Sequence, residues 1–468
     1  MSLSLAVSVV LLAALATPED KVDRFMRHAL EAVHIPGASL IVLQDGKVVK
    51  RAAFGVANVE YDVPAKPETL YLLASITKSF TATAVMMLVE EGRIKLDDPL
   101  STYLIDAPEA WKPITIRMLL GHTAGLKDRW EEQDHAKWRI AYSTADLYAA
   151  AQAAPLDFAP GTHWQYSDQG YFLLGRVLEK VSGTSYRQFL TERIFKPCGM
   201  ESSTTTSQTE IVPNLAQGYT QSQGKWLKNH RRTDYGLVSH FGVVSSVDDM
   251  AKFDQALMAG KLLKQETLAR MWTPTTLPTG DVGHLLGATY GMGWFLEELN
   301  GHRIVQHGGA SGTGYVKYPD DKLTVIVLTN LEQLVGGDGV GLAKIVAQAY
   351  IPGLAYGEMS AKPDPDPRWG ETVKSELANM ALGKMTTELY APEFAKLLEP
   401  SLPAQKAGLT PLGPVQQVDY LTESKIGLMR RVVYRVRFND LTLYAHLGLT
   451  PEGKIEQMAL GGESTLDD

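Results

Sequence analysis

Apolar residues recur along the first fifty positions with two different periods. Between residues 23 and 34 they return every three or four positions, which predicts an amphipathic helix. The apolar runs 38–43 and 47–49 follow, and they flank the dipeptide Asp45-Gly46. Asp-Gly between two apolar runs is typical of a tight β-hairpin, so this part of the chain is predicted to form two paired strands.

The middle of the chain differs from its two ends. From about residue 75 to 260 the pattern is mostly helical, with helices predicted at 80–91, 170–182 and 185–195. Strand patterns return at 303–306, 314–318 and 322–328, before a helix at 340–350. Strands at both ends with helices between them predict an α/β fold, more narrowly α+β: an antiparallel sheet flanked by helices, with a helical subdomain beside it.

A second, smaller domain is predicted after a stiff segment rich in proline and charge at 360–368. The chain has 468 residues, more than the roughly 250–300 at which a single core stops growing. We therefore predict a main domain at 17–352, a linker at 353–370 and an accessory α+β domain at 371–468. The accessory domain is expected to pack near the cleft or to support dimerisation. Its predicted helices lie at 371–383 and 392–398, and its strands at 414–421, 428–438, 441–449 and 454–460.

The first residues suggest where the protein works. Residues 1–16 carry no charge and are almost all apolar, and they end in the small-x-small pattern Ala14-Leu15-Ala16. This predicts a secretory signal peptide and an exported protein, periplasmic or extracellular. The stretch is shorter than the roughly 20 residues of a membrane helix, so no stable membrane anchor is expected.

Composition and charge narrow the function. Hydrophobic residues make up 45% and charged residues 21%, as in a soluble globular protein. The net charge of -8, with no run rich in Lys and Arg, disfavours nucleic acid as a partner. Cys198 is the single cysteine, so neither an intramolecular disulfide nor a cysteine-based metal site can form, and the histidines show no metal-ligand spacing.

Ser75 and Lys78 are the first chemically suggestive pair, at the start of the apolar helix predicted at 80–91. Three positions apart on a helix, they share one face, and a serine nucleophile needs such a neighbouring base. The positive end of the helix dipole would also stabilise developing oxyanion charge. Ser-x-x-Lys is a common pattern, and the alternative is an N-cap serine with a solvated lysine.

Tyr166-Ser167-Asp168 precedes the helix predicted at 170–182. By itself it fits a helix N-terminus with Asp168 as the capping residue. The functional alternative makes Tyr166 a general base. The pKa of tyrosine is about 10 in isolation, so this role needs a cationic neighbour, which Lys78 would supply.

His307-Gly308-Gly309 follows the apolar strand at 304–306. Two glycines after a strand let a substrate backbone approach closely, although a plain loop would look the same. Together and in this order, the three motifs resemble those of the serine beta-lactamase/DD-peptidase superfamily. The closest branch has Ser-x-x-Lys, Tyr-x-Asn and Lys/His-x-Gly, and contains class C beta-lactamases, D-Ala-D-Ala carboxypeptidases, D-aminopeptidases and family VIII esterases.

The resemblance covers residues 20–351 and is supported by family-like segments at 35–38, 119–126 and 195–200. It implies a beta-lactamase/transpeptidase-like fold and an enzyme that uses neither metal nor cofactor. By this resemblance Ser75 is the nucleophile, Lys78 lowers the pKa of its hydroxyl and Tyr166 is the proton shuttle. The resemblance also implies an oxyanion hole formed by the N–H groups of Ser75 and Ala310. The residues implied to bind substrate are Asp168, His307, Gly308 and Gly309.

Two departures from the family pattern bear on the substrate. Asp168 stands where many relatives have Asn, and an ionised carboxylate accepts hydrogen bonds but cannot donate one to a substrate carbonyl. His307 stands where beta-lactamases have Lys, and a neutral imidazole is a poorer partner for a substrate carboxylate. Both departures argue against efficient beta-lactam hydrolysis, whereas Asp168 would suit a substrate ammonium group.

The function expected from the sequence is an exported serine hydrolase that forms an acyl-enzyme on Ser75. Its small-molecule or peptide substrate would be an ester or a D-amino-acid amide. One alternative is a class C-like beta-lactamase or D-Ala-D-Ala carboxypeptidase. Another is a non-catalytic binding protein with the same fold, which the Ser75, Lys78 and Tyr166 set disfavours. Whether the protein forms a homo-oligomer stays open.

Overall fold

A computed structural model of the protein describes residues 20–127, 143–206, 210–222, 224–229, 238–285, 287–332, 339–439, 441–463 and 465–466. The predicted signal peptide at 1–16 lies outside these residues. The helices are α1 (Lys21–Val33), α2 (Thr77–Glu90), α3 (Ile116–Leu120), α4 (Thr144–Ala153), α5 (Asp168–Ser182), α6 (Tyr186–Leu190), α7 (Lys196–Cys198), α8 (Val247–Met258), α9 (Gln265–Met271), α10 (Gly339–Ala347), α11 (Arg368–Ala381), α12 (Pro392–Leu398) and α13 (Leu402–Leu409).

The strands of the main domain begin with the predicted N-terminal hairpin. They are β1 (Gly37–Gln44), β2 (Lys47–Asn58), β3 (Val63–Pro64), β4 (Tyr71–Leu72), β5 (Thr204–Thr205), β6 (Tyr219–Ser222), β7 (Lys225–Lys228), β8 (Val243–Ser245), β9 (His284–Leu285), β10 (Ala288–Tyr290), β11 (Phe295–Leu299), β12 (His302–Gly309), β13 (Thr313–Tyr318) and β14 (Leu323–Thr329). Both residues of the Asp45-Gly46 turn have positive φ, 51° and 71°, as this type of tight hairpin requires.

The main sheet has the order β3-β2-β1-β14-β13-β12-β11-β10-β9, and its neighbouring strands are antiparallel. Its centre joins distant parts of the chain, because β1 pairs with β14 and Ile41 lies opposite Ile326. The predicted antiparallel sheet, built from both ends of the main domain, is therefore confirmed.

Alternate residues of β1 point into two separate cores, as the period of a strand requires. Ile41 and Leu43 pack in the core that contains α2 and α8, whereas Leu40 and Val42 pack in the core that contains α1 and α10. Helix α2 is buried over its whole first part, from Thr77 to Met86. A helix buried on all sides has no polar stripe, so its polar side chains must find partners inside the protein, as Ser79 does with the Gly293 carbonyl and Thr81 with the Ser239 carbonyl.

The C-terminal domain contains the antiparallel sheet β15 (Gln417–Ile426), β16 (Met429–Arg437), β17 (Thr442–Leu449) and β18 (Ile455–Gly461). Helices α11, α12 and α13 share with this sheet a core of their own, which includes Trp369 and Tyr434. The predicted small α+β domain is thus present. Helix α11 begins at Arg368, within the segment predicted as a linker.

A buried ion pair fastens α8 to the main sheet. Lys317 on β13 contacts Asp254 on α8, and their side chains are 2% and 4% exposed. Asp254 also accepts hydrogen bonds from the Tyr315 hydroxyl at 2.7 Å and from Thr324 Oγ1 at 3.2 Å. A buried charge that loses its partner is strongly destabilising, so each member of this pair depends on the other.

We expect Lys317→Met to lower the free energy of unfolding by about 3–5 kcal/mol, because it leaves the Asp254 carboxylate buried without its counter-ion. Urea denaturation followed by circular dichroism measures the change. The control is Lys322→Met, which removes an exposed lysine 3.4 Å from Asp45 and should cost no more than about 1 kcal/mol. Equal losses in the free energy of unfolding of the two variants would show that the buried ion pair stabilises the fold no more than an exposed one.

Candidate active site

Ser75 lies in a 3-10 turn, Ala74–Ile76, that leads directly into α2. Ala74 has φ 47°, a left-handed conformation that costs an L-residue roughly 1–2 kcal/mol. The end of β12 and the start of β13 hold this turn: the Leu73 carbonyl accepts a hydrogen bond from Thr313 Oγ1 at 2.9 Å. A Cβ on Gly309 would lie 2.1 Å from that carbonyl oxygen, so the close approach requires glycine.

Lys78 is fully buried one helical turn beyond Ser75, and its ammonium group has an acceptor for each of its three N–H bonds. The acceptors are Ser75 Oγ at 3.1 Å, Asp168 Oδ1 at 2.5 Å and the His240 carbonyl oxygen at 2.9 Å. Burial acts to lower the pKa of Lys78, but the attraction of Asp168 and Tyr166 outweighs it and raises the pKa above its ordinary value. Lys78 is therefore an ammonium ion that donates to Ser75.

Asp168 is the first residue of α5, where an anion is favoured by the helix dipole. Ser167, not Asp168, caps this helix: its hydroxyl oxygen accepts the Gly170 N–H at 3.2 Å. The capping role that the sequence suggested for Asp168 is therefore wrong. Because the preceding residue satisfies the helix terminus, the Asp168 carboxylate can pair with Lys78 instead.

Tyr166 lies beside the nucleophile and the cation. The Lys78 Nζ lies 4.8 Å from the centroid of its ring, and Lys78 and Ser75 both act to lower the pKa of its hydroxyl. The ring stacks on Phe295, with centroids 6.0 Å apart and planes inclined by 9°. Burial raises the pKa of Tyr166, and the opposing effect of Lys78 is too small to reverse the shift. Tyr166 is thus a neutral phenol beside Ser75 Oγ.

His307 is placed at the end of β12, but it is only 1% exposed and both ring nitrogens are engaged. Nδ1 lies 2.7 Å from the Gly308 carbonyl oxygen, which can only accept, so Nδ1 carries the proton. Nε2 then accepts a hydrogen bond from the Tyr290 hydroxyl at 3.2 Å. Burial, with a further effect from Lys78, lowers the pKa of His307 to about 3. The ring is therefore neutral and contacts Tyr290.

The remaining residues of the third motif lie against the Ser75 turn. Gly309 packs on Leu73 and Ala74, and Ala310 follows it directly. A Cβ on Gly308 would approach Val340 to 3.0 Å, so this position is also tight. The motif thus lies next to the Ser75 turn, and its predicted role in substrate binding stays a prediction. The oxyanion role of the Ser75 and Ala310 N–H groups stays a prediction.

Tyr290, an aromatic residue of the site, was not identified from the sequence. Tyr290 binds His307, while the His122 Nδ1 accepts the Ser167 N–H at 3.1 Å and so supports the turn that carries Tyr166. Trp164 lies edge-on to His122, with centroids 6.0 Å apart. The sequence feature that could have pointed to this segment is the pair of glycines on either side of Met292, shortly after Tyr290. Glycines within strand-like segments often mark a place where another part of the chain approaches the backbone closely.

Within the parts of the chain that the structure describes, no group of three or more His, Cys, Asp or Glu residues could hold a metal ion. Over the same residues, no helix combines the length and apolar character needed to cross a membrane.

Comparison with known proteins places this site in a family. The family profile described as Beta-lactamase matches residues 22–349. The chain belongs to the beta-lactamase family. This membership confirms the predicted superfamily of beta-lactamase-related serine hydrolases and the predicted fold class.

Individual relatives show how far the likeness extends. Penicillin-binding protein PbpX of Bacillus subtilis is 31% identical over 267 residues, 57% of this chain and 63% of the relative. D-aminopeptidase of Brucella anthropi is 28% identical over 320 residues, 66% of this chain and 59% of the relative. The chain thus spans about three fifths of the length of these two relatives.

One solved structure resembles nearly the whole chain, including the C-terminal domain. It is the octameric penicillin-binding protein homologue from Pyrococcus abyssi, with a TM-score of 0.61. At 23% sequence identity it covers 95% of this chain and 98% of its own. At this level of identity, the comparison shows that the two proteins share a fold.

The buried neutral His307 predicts a pH dependence of stability in this beta-lactamase-family protein. The unfolded chain protonates this histidine near pH 6.5 and the folded protein only near pH 3, so the unfolded state binds more protons between these values. Stability therefore falls as the pH decreases through this window, by about 1.4 kcal/mol per pH unit for one proton. We expect His307→Gln to remove that contribution.

The slope of the free energy of unfolding against pH, measured by urea denaturation between about pH 4 and 6, tests this expectation. His28→Gln, at an exposed position of α1, is the control. A slope that is the same in His307→Gln and in the wild type would contradict the buried neutral state.

Proposed function

We propose that this protein is an exported serine hydrolase that forms an acyl-enzyme on Ser75 and acts on an ester or a D-amino-acid amide or peptide. The observation that carries the proposal is the 3.1 Å hydrogen bond from the buried Lys78 ammonium to Ser75 Oγ. A cation held against this oxygen stabilises the alkoxide that develops during attack. A binding protein would have no need of such a costly buried charge.

Proton transfer in this proposal passes through Tyr166. Ser75 Oγ attacks the substrate carbonyl carbon and gives its proton to the Tyr166 oxygen, and Tyr166 passes its own proton to the leaving nitrogen or oxygen. The bond from the carbonyl carbon to the leaving group then breaks, which leaves an ester on Ser75. Water hydrolyses this ester by the reverse transfer and restores the Ser75 hydroxyl. Lys78 keeps its charge throughout, consistent with its raised pKa.

The oxyanion is proposed to lie between the N–H groups of Ser75 and Ala310. Gly309 packs against the Ser75 turn, which brings the residue that follows it next to the nucleophile. Loss of one such donor typically costs about 2.7–4 kcal/mol in transition-state stabilisation. Gly308 and Gly309 are proposed to admit the substrate backbone, and His307 to support the substrate site by binding Tyr290, whose ring lies 6.1 Å from that of Tyr166.

Asp168 favours an amide substrate with a free ammonium group. Its side chain is 28% exposed, and one of its oxygens binds Lys78. A carboxylate cannot donate to the side-chain carbonyl of a beta-lactam, but it attracts a cation. The relative named D-aminopeptidase agrees with this choice.

The second proposal is a beta-lactamase or D-Ala-D-Ala carboxypeptidase. The observation in its favour is the 31% identity to a relative named as a penicillin-binding protein. Turnover of nitrocefin and of a D-Ala-D-Ala peptide, compared with that of p-nitrophenyl butyrate and a D-alanyl anilide, separates the two proposals.

An acyl-enzyme trap tests the nucleophile. We expect a fluorescent fluorophosphonate to label the wild-type protein covalently, and Ser75→Ala to abolish the label, because the attacking oxygen is removed. Ser79→Ala is the matched control on the same helix, since its hydroxyl donates to the Gly293 carbonyl at 2.8 Å. Labelling that persists in Ser75→Ala, or that is absent from the folded wild type, would refute the proposal.

Asp168→Asn tests the ammonium site. We expect the ratio of kcat/KM for D-alanyl p-nitroanilide to kcat/KM for its N-acetyl derivative to fall about tenfold, the equivalent of 1.4 kcal/mol, because only the first carries a charge for Asp168. The ratio cancels any general loss caused by breaking the pair with Lys78. Asp146→Asn, an exposed acidic residue in the first turn of α4, is the control. An unchanged ratio would show that Asp168 does not recognise the substrate ammonium group. Faster nitrocefin turnover by Asp168→Asn would support the argument that a carboxylate at this position lacks the hydrogen-bond donor that a beta-lactam requires.

A further inference from the structure

The turn 281–283 lies between the C-terminal domain and the aromatic residues of the candidate active site. On one side it meets the connection between β15 and β16, formed by Gly427 and Leu428. The Leu428 N–H donates to Asp281 Oδ1 at 3.3 Å, and the same oxygen accepts the Val282 N–H at 2.8 Å. One carboxylate oxygen therefore joins the two domains.

Gly427 fits this contact without space for a side chain. Its φ is 58°, and a Cβ there would lie 2.5 Å from Asp281 Oδ1 and 2.7 Å from Val282 Cγ2. Both the backbone conformation and the close approach therefore require glycine. A second contact nearby has Arg431 packed over the β9–β10 connection, 3.4 Å from where a Cβ on Gly287 would lie.

The other side of the turn supports Trp164, two residues before Tyr166. A Cβ on Gly283 would lie 1.9 Å from the Trp164 Cγ, so the Gly283 backbone is in direct contact with the indole. Among the described residues, the buried indole N–H has no hydrogen-bond partner. The position of Trp164 therefore depends on packing, and Gly283 is part of that packing.

The same turn also fixes Tyr290. The Gly283 carbonyl accepts the Tyr290 N–H at 3.2 Å, and the Tyr290 hydroxyl binds His307 Nε2 at 3.2 Å. The rings of Trp164 and Tyr290 lie 6.2 Å apart. Because the Tyr290 ring also lies 6.1 Å from the Tyr166 ring, movement of the turn would displace aromatic residues near Tyr166.

The C-terminal domain is anchored independently of this contact, so it can act as a fixed support. The segment before α11 binds the C-terminal sheet, where Glu463 accepts the Gly357 N–H at 2.6 Å and Arg435 donates to the Tyr356 carbonyl at 3.1 Å. The apolar cluster of Tyr356, Leu421, Val433 and Tyr444 packs against Leu299 of β11, which joins this sheet to the main domain.

We propose that the Gly427-Leu428 connection is a positioning element for the Ser75 cleft. By holding the turn 281–283 it sets Trp164 and Tyr290, and so determines which acyl groups bind beside Ser75. The inference rests on the proposed hydrolase function, and it makes the C-terminal domain a determinant of specificity that never touches the reacting atoms.

Gly427→Val is the test, with Gly413→Val as its matched control. Gly413 also has a positive φ, 74°, and lies in the C-terminal domain, but the nearest atom to a Cβ there is Asn439 Nδ2 at 3.6 Å. Both substitutions strain the backbone of the same domain. Only the one at 427 drives a side chain into the turn of the main domain.

Two p-nitrophenyl esters that differ in the acyl group report specificity. For p-nitrophenyl phenylacetate, we expect Gly427→Val to raise KM about tenfold with little change in kcat. For the smaller p-nitrophenyl acetate, we expect the same variant to change KM and kcat by less than about twofold. Hydrogen exchange should increase in the peptide 281–290 of this variant. Gly413→Val should show neither effect.

A second pair of variants applies if Gly427→Val does not fold. Asp281→Ala removes the acceptor that joins Leu428 to Val282 and should raise KM for the phenylacetate ester, whereas Asp281→Asn keeps an oxygen there and should restore wild-type values. The proposal would be overturned if Asp281→Ala and Asp281→Asn had the same KM for the phenylacetate ester. It would also be overturned if Gly427→Val and Gly413→Val changed this KM equally. Faster exchange at 281–290 with an unchanged KM would overturn it as well.

Fluorophosphonate labelling of Ser75 in the same variants separates this proposal from the proposed function. Labelling within about threefold of wild type, together with an altered KM for the phenylacetate ester, supports positioning by the C-terminal domain. Absence of labelling in the folded wild type would contradict the hydrolase function itself. Normal labelling with an unchanged KM would contradict positioning alone.

Discussion

The ammonium group of Lys78 is the constraint on which the rest of the site depends. A fully buried charge is tolerated only when it is paired and hydrogen-bonded, and Lys78 meets both conditions. Its acceptors come from three parts of the chain: Ser75 before α2, Asp168 at the start of α5 and the backbone at His240. The helical region must bring these together, so the requirement of one side chain shapes the packing of the whole subdomain.

That one cation also affects the protonation of its neighbours. His122, His240 and His307 are all buried, and for each of them burial lowers the pKa, with a smaller effect in the same direction from Lys78. The three rings are therefore neutral, and two of them accept hydrogen bonds: His122 from the Ser167 N–H and His307 from the Tyr290 hydroxyl. Among the described residues, the Lys78 ammonium is paired with the Asp168 carboxylate.

Backbone contacts that only glycine permits run from the Ser75 turn to the C-terminal domain. Gly309 lets β12 approach the Ser75 turn, Gly283 lets a loop lie against Trp164, and Gly427 lets the C-terminal domain reach that loop. Close contacts of this kind transmit small displacements, because packed protein interiors deform little. The precision of the cleft is therefore set by positions that carry no chemistry of their own.

The sequence by itself determined the main elements and the residues of the candidate site. The Asp45-Gly46 hairpin, the apolar helix after Ser75 and the late strands follow from local periodicity and turn chemistry, which a linear pattern records. Ser75 and Lys78 could be paired because they lie within one helical turn, and Tyr166 and His307 because their motifs are short and ordered. Only the tertiary structure showed that Ser167 caps α5 in place of Asp168, and that His307 is buried against Tyr290. It alone revealed the contact of Gly427 with Asp281, since residues so far apart in the chain meet only when separate elements pack, and no local pattern specifies which of their atoms will touch.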